Sequence, residues 1–395
     1  MVRPSYDIVR GHTTNARLSA SRQTIVVKSY DLVRRSYDVI MNQACNLSMA
    51  DDGCSNATDV PYANPYSISN WGWTIKQVCT PVIVLVGIVG NCLSFIVMKS
   101  KLLRHRSYSH YLCALAVFDS LTLLGQELEV VDAFLRDIKK TGLFLHFNAS
   151  GCKIFTFAES VCYLMSSWLV VCMALERVLV VYTPFRKHTI CTQRGAVAVI
   201  LALFVFAAYT QLFRLIMVTK VRDRCESASY FTEDFLRLHI YFYQLCLAFA
   251  FPILCVFVCN VMVLWKIKKV GKAAAGENST STRLARGAAK RHKTTMMLLT
   301  ICFTYILTLF PTVLLTILII VVIRVSDGLT ARDFLIQVSP WKDLFIVITA
   351  INYAANFFIY VLSGKHFRLQ LRHMFYRERS SLVNNTKTRE EITLM

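Results

Sequence analysis

The chain has 395 residues, is 55% hydrophobic with a mean hydropathy of +0.46, and carries a formal net charge of +20. Only 17% of its residues are charged, against roughly 25% in ordinary soluble domains. Composition therefore excludes a soluble globular fold and points to an all-α membrane protein, in which the basic excess is a membrane-surface signal and nucleic acid need not be invoked.

The first 77 residues read as an extracellular, poorly ordered region. SYDIVR, SYDLVR and SYDVIM recur at Ser5, Ser29 and Ser36, but the spacing is irregular and the units are too short to bury a face. There is no signal-peptide core, so the first apolar helix would serve as the membrane signal. Character shifts at Met41, and the first forty residues read as dispensable or as an upstream extension of the true start.

Seven long, mostly uncharged runs follow, each able to cross a ~30 Å hydrocarbon core as a helix. They lie at Val78–Met98, Tyr108–Phe134, Cys152–Tyr182, Arg194–Val218, Leu236–Trp265, Thr294–Ile323 and Trp341–Leu362. The runs do not alternate, which argues against barrel strands. A receptor domain is thus expected over 78–362, followed by an amphipathic membrane-surface helix at 363–377 and a cytoplasmic tail at 378–395.

Basic residues cluster after the first, third, fifth and seventh runs. They include Lys99, Lys101, Arg104 and Arg106; Arg186 and Lys187; Lys266, Lys268, Lys269 and Lys290–Lys293; and Lys365 and Arg368. The positive-inside rule places these connections in the cytoplasm and the N-terminus outside. Sequons at Asn46, Asn56 and Asn148 fall outside as candidate glycosylation sites, whereas those at Asn278 and Asn384 fall inside and should stay bare.

Most of the fourteen cysteines lie within helices as small buried hydrophobes. Cys45, Cys54, Cys152 and Cys225, with Cys79 a marginal fifth, face the oxidising exterior. A Cys152–Cys225 disulfide would pin the loop before helix five across the extracellular mouth, and Cys45 with Cys54 is a second candidate pair. No cluster suggests zinc, and there is no nucleophile elbow or phosphate loop to support an enzyme.

Helix three raises the question of why Glu176 and Arg177 end an apolar run. Twenty-five residues separate Cys152 from Arg177, or ~38 Å of helix, so with Cys152 at the outer surface the ion pair reaches the inner one. There arginine would meet water or a partner while Glu176 neutralises it. Cys152, Glu159, Tyr163, Ser166 and Arg177 point within about 30° of one direction, a polar stripe that belongs inside a bundle.

Other helices supply partners for that stripe: Asn91 in the first, Asp119 in the second, and Asn352, Asn356 and Tyr360 on one face of the seventh. A carboxylate among Asn and Ser oxygens can hold a proton or a hydrated sodium ion, or can join a neutral hydrogen-bond network that specifies packing. These readings are compatible. Sodium at Asp119 is the one candidate ion, and no other cofactor is expected.

In this order and spacing the motifs resemble those of rhodopsin-like (class A) G-protein-coupled receptors over Val78 to Phe375. The resemblance rests on Gly90-Asn91, LAVFD in helix two, Cys152 with Cys225, ERV at Glu176–Val178, Pro252, Phe310-Pro311 and Asn356 to Tyr360. It implies that Arg177 engages a heterotrimeric G protein when helix six, hinged near Pro311, swings outward. It further implies that Glu176 restrains Arg177 at rest and that Asn356 and Tyr360 rearrange toward it. Phe367, Leu371 and Phe375 would form an apolar stripe on the inner leaflet, membrane lipid being a partner, without a palmitoyl cysteine to assist. Arrestin and a receptor kinase are implied as further partners.

Three departures stand out: Phe357 replaces a helix-seven proline, Leu309 stands where helix six usually carries tryptophan, and helix four has no tryptophan. Ring rotation at that tryptophan is therefore not transferred, and helix seven should kink less.

The ending NFFIY…SGKHFR is similar to invertebrate neuropeptide receptors for FMRFamide and to the thyrotropin-releasing-hormone and ghrelin receptor group. Glu159 sits two turns below Cys152, about 10 Å into the bundle. Glu127, Glu129 and Asp132 gather at the outer end of helix two. With Tyr163, these acids favour a cationic ligand, such as an Arg near an amidated peptide C-terminus. The alternatives are a small-amine receptor and an ion-coupled transporter, but neither inverted repeats nor broken helices support the transporter.

Overall fold

The computed structural model describes residues 71–374 apart from 102, 140, 184–190, 222–223, 232–233, 236, 276–281, 327 and 364–366, and it leaves out the side chains of 229, 270–297, 323–324, 328–329 and 331–332. Expectations for Asn46, Asn56, Cys45, Cys54, Asn278, Phe375, Asn384 and the tail at 378–395, and for the side chains of Lys290–Lys293, lie outside what is described.

Chain order is α1 (Trp71–Met98), α2 (Ser107–Lys139), a 3-10 turn (Leu143–His146), α3 (Ala149–Tyr182), α4 (Gln193–Met217), β1 (Val218–Val221) and β2 (Arg224–Ser227). A second 3-10 turn (Ser229–Phe231) follows. Next comes α5, π-helical over Arg237–Ala250 and α-helical over Phe251–Ala275, then α6 (Thr282–Val325), α7 (Gly328–Ser363) and a short helix α8 at 367–374. Seven of these helices are long and apolar enough to cross a membrane, among the described residues. The expected seven runs are therefore the seven spans, although α1 begins seven residues before Val78, at Trp71, and α2 runs on to Lys139.

By compactness the chain divides into two units. One comprises Met1–Trp71 with Leu315–Lys342, and the other Gly72–Leu314 with Asp343–Met395. All the site residues discussed below belong to the second.

Burial in the second unit is inverted relative to a soluble protein. Val78, Val82, Leu85 and Val89 of α1 face outward, as do Leu201 and Val205 of α4 and Leu254 and Phe257 of α5, whereas Asn91, Ser94, Asp119, Ser166 and Asn356 are buried. Only a hydrocarbon solvent makes such an arrangement favourable, because it asks no hydrogen bonds of the outer face and penalises polar groups placed there. α3 packs against α2, α4 and α5 and is the most deeply buried span. Its apolar residues are buried on most sides, with Ile154, Leu175 and Leu179 exposed, so its polar residues mark the inward direction more sharply.

Helix five departs from the single α-helix expected at Leu236–Trp265. Pro252 has no N–H, so Ala248 loses its i+4 donor in α geometry and Leu247 its i+5 donor in π geometry. Side chains from two other helices replace them: the Tyr305 hydroxyl donates to Ala248 O at 3.5 Å, and Trp168 Nε1 to Leu247 O at 3.0 Å. The widened turns therefore leave neither carbonyl bare.

Two sequence departures also find their packing reason. Phe357 lies against α1 at Gly90, where an added Cβ would come within 2.9 Å of its Cβ, and its ring meets Phe367 at 5.9 Å. Phe367 also meets the Tyr360 ring at 5.5 Å and is buried. This corrects the expectation for α8: Phe367 turns toward the bundle, where α7 offers it aromatic partners, and half-buried Leu371 packs against the same core. Leu309 is fully buried in the main core cluster.

Candidate functional site

At one end of the bundle, α3 starts from Asn148, whose side chain accepts from Gly151 N at 2.7 Å. That is an ordinary N-cap, satisfying a backbone donor that the first turn cannot. Four residues on, Cys152 is bonded to Cys225 with Cα atoms 5.2 Å apart. Cys225 stands on β2, opposite Lys220 of β1, so the loop before helix five is an antiparallel hairpin tied to the top of α3. Lys220 Nζ fastens the hairpin to the 3-10 turn by donating to Leu145 O. Cys79 is a free thiol.

The acids at this end separate into two kinds. Asp132 is buried, accepts from Phe144 N at 2.9 Å and pairs with Arg136 one turn along α2. It organises the loop after α2 and cannot belong to a ligand-facing acid cluster, a correction that follows from its two local donors. Asp132→Ala should lower stability by roughly 1–3 kcal/mol, since the Phe144 N–H loses its acceptor. A thermal melt of the purified receptor checks this, and the response per surface receptor to a cationic ligand should be unchanged.

Glu159, by contrast, lies against α2 at Gly125, where an added Cβ would fall 3.2 Å from its Cγ. Among the described residues its carboxylate makes no hydrogen bond or ion pair. The charges acting on it are the Glu129 carboxylate and the Arg214 guanidinium. Glu127 is half-buried with Oε2 lacking a hydrogen-bond partner, and Glu129 is exposed. Below Glu159, Tyr163 meets the rings of Phe249 at 6.1 Å and Tyr353 at 6.0 Å.

Three residues here escaped the sequence reading: Arg214, His239 and Tyr243. Tyr243 is buried, and its hydroxyl donates to the carbonyl of Ser160, next to Glu159. The available signal was Arg214 itself, an ionisable residue inside an apolar run, which by default marks a functional position.

In mid-bundle the predicted polar residues come together. The Ser166 hydroxyl donates to Asp119 Oδ1, and Asn356 Nδ2 donates to Asp119 Oδ2 at 2.6 Å. α2, α3 and α7 are thus joined through one carboxylate. Asn91 Nδ2 donates to Tyr353 O at 3.1 Å, connecting α1 to α7, while Asn91 Oδ1 and Ser94 Oγ remain buried without partners. Asn352 is buried one turn before Asn356, and Tyr360 one turn after it.

At the far end, Arg177 Nη2 lies 3.3 Å from Glu176 Oε1, the same oxygen that accepts from the Ser107 hydroxyl at the start of α2. Arg177 also sits over the Tyr108 ring at 5.5 Å. Both charges are buried, at 5% and 6% exposure, rather than open to water as their place at the helix end suggested. Tyr108 and Ser107 cover them. Arg177 Nε and Glu176 Oε2 have no hydrogen-bond partner, so the pair is held but not saturated.

Seven apolar helices that turn their acids, amides and an arginine inward define a multi-pass membrane protein of the seven-helix receptor class. Residues 90–360, more than half of the chain, match the profile of the family described as 7 transmembrane receptor (rhodopsin family), and the chain belongs to that family. A search of curated proteins finds no match. The protein is accordingly a G-protein-coupled receptor, a signalling protein that is not an enzyme and that connects an extracellular ligand to a G protein.

Proposed function

We propose that the ligand is an extracellular neuropeptide, basic and amidated as FMRFamide-like peptides are, and that Glu159 meets its cation. The observation that carries this reading is the Glu159 carboxylate itself. It sits two turns below the Cys152–Cys225 disulfide with no hydrogen bond or ion pair among the described residues, and an uncompensated acid inside a helix bundle is costly unless something binds it. The disulfide end is then extracellular, the N-terminus lies outside, and the receptor resides in the plasma membrane. Glu127 and Glu129 add negative potential toward the same end of α2, and Tyr163 supplies an aromatic floor.

Within this reading, Arg177 at the opposite end is the contact to the G protein, Glu176 its restraint, and Asn356, Tyr360 and Pro311 parts of the helix movement that frees it. Arrestin and a receptor kinase would act at the same cytoplasmic end, where the inner leaflet adjoins α8. Asn148 would carry glycan through Nδ2, its Oδ1 being the cap acceptor. Sodium remains an option at Asp119. The Asp119 carboxylate, Ser166 Oγ and the Asn356 amide oxygen would hold it, provided Ser166 and Asn356 turned oxygens in place of the donors they now present. The bound charge would favour this arrangement of α2, α3 and α7.

A calcium-release and cyclic-AMP assay of transfected cells against an amidated peptide library tests the reading. Glu159→Gln should weaken an arginine-bearing agonist by tenfold or more, while an analogue with a neutral residue in place of arginine should change little. Equal losses for both would make Glu159 structural and remove the basis for a cationic ligand.

A further inference from the structure

Arg214 is a buried charge that neither the membrane crossing nor the coupling end requires. It lies three residues before the end of α4 and is 5% exposed. Its Nε donates to Gln211 Oε1 at 3.0 Å, and its Nη2 to His239 Nδ1 at 2.7 Å. Three rings surround the guanidinium: Tyr243 at 4.8 Å, Phe213 at 5.3 Å and Phe235 at 5.8 Å. An amide, aromatic faces and an imidazole nitrogen that accepts a hydrogen bond are all uncharged partners. No carboxylate among the described residues lies within ion-pair distance of Arg214.

Glu159 mirrors this situation from α3. It too lacks a counter-ion in contact, yet it and Arg214 act on each other electrostatically, with Glu129 acting on both. Tyr243 spans the interval, its ring beneath the guanidinium and its hydroxyl at Ser160 O, beside Glu159. Two opposite buried charges, neither with a counter-ion in contact among the described residues, are thus linked through one tyrosine.

We propose that Arg214 is a second ligand-recognising charge, holding an acceptor oxygen of the ligand whose cation is held at Glu159. The subsite then selects a group with a cation and a carbonyl or carboxylate oxygen close together, as at the basic C-terminus of a peptide. Arginine suits this task, because its planar fork can donate to an oxygen while keeping its bonds to Gln211 and His239. The assignment rests on the peptide reading above and adds a chemical demand to it: a cation alone, such as a simple amine, fills only half the subsite.

The test uses the full-length receptor as wild type, Arg214→Gln, Arg214→Lys and Glu159→Gln. The probes are Phe-Met-Arg-Phe as carboxamide and as free acid, and each form with norleucine in place of arginine. Potency is normalised to surface receptor number, and the melting temperature of each purified, ligand-free receptor is measured in parallel. Arg214→Gln should lower potency at least tenfold for arginine and norleucine peptides alike, with Arg214→Lys intermediate, whereas Glu159→Gln should penalise only the arginine peptides. Whichever terminus Arg214 holds, carboxamide or carboxylate, should show the larger loss. Ligand-free melting of Arg214→Gln should fall, because Gln211 Oε1 and His239 Nδ1 lose their donor, so potency per surface receptor and not the melt decides the assignment. If Arg214→Gln melts lower and its normalised potency is unchanged, Arg214 only braces α4 against α5 and the proposal is wrong. If no peptide activates wild type, the peptide reading fails and this assignment with it, whereas peptide activation of wild type with unchanged normalised potency in Arg214→Gln overturns the assignment alone.

Discussion

Cys152→Ala should leave cells with little or no receptor at the surface, and any that arrives should not respond to ligand. The disulfide to Cys225 closes a sequence separation of 73 residues and fastens the β1–β2 hairpin to the first turn of α3. By chain entropy, a loop of that size is worth about 4 kcal/mol, comparable with the whole margin by which many proteins stay folded. Lys220 to Leu145 O and Ala228 N to Met217 O also hold this region, but the disulfide is its covalent tie to α3. Cell-surface immunostaining combined with a ligand-response assay measures the loss. Mass spectrometry showing both thiols free in folded, responsive receptor would refute the premise.

Glu176→Gln should raise ligand-independent signalling, and Arg177→Ala should abolish coupling while leaving extracellular ligand binding intact. The structure gives the restraint a shape. Glu176 Oε1 receives Arg177 and the Ser107 hydroxyl together, which ties α3 to α2 at the end where Tyr108 covers the guanidinium. Removing the carboxylate charge weakens both ties in the closed arrangement. A change of ~1.4 kcal/mol in that balance alters the resting active-to-inactive ratio tenfold. Ser107→Ala removes only the α2 tie, so it should raise basal output less than Glu176→Gln. Basal output must be divided by surface receptor number, because a purely anchoring pair would lower expression in every variant. Unchanged normalised output in Glu176→Gln would end the restraint account, whatever Arg177→Ala does.

Legibility varied along the chain for reasons that can be named. The polar stripe of α3 and the amides of α7 were readable because a polar residue in an apolar run can face only inward, and helical periodicity then says which residues share that face. Periodicity is silent on what they touch. Asp132 looked like one more acid in a row, but its role as acceptor for Phe144 N depends on a 3-10 turn that begins eleven residues further along. Likewise the apolar residues of α8 were readable as a stripe, whereas lipid and the rings of Phe357 and Tyr360 are both apolar and satisfy the same pattern. Arg214 was visible and was passed over, because a charge near a span end is so often a membrane anchor.

By itself the sequence determined the solvent, the number of spans and the class of protein. The first two follow from run length and from the cost of unpaired backbone in hydrocarbon, which hold whatever the neighbours are, and the class from the order and spacing of motifs that resemble those of the receptor family. Tertiary structure decided which buried charges are already paired and which are not. Asp132 and Glu176 found partners within a turn or on an adjacent helix, Asp119 found two across three helices, and Glu159 and Arg214 found no counter-ion in contact among the described residues. The physical reason is reach: a hydrogen bond or ion pair is settled within about 3–4 Å, and in a helix bundle the residues that close that distance lie on different helices, tens to hundreds of positions apart in the chain.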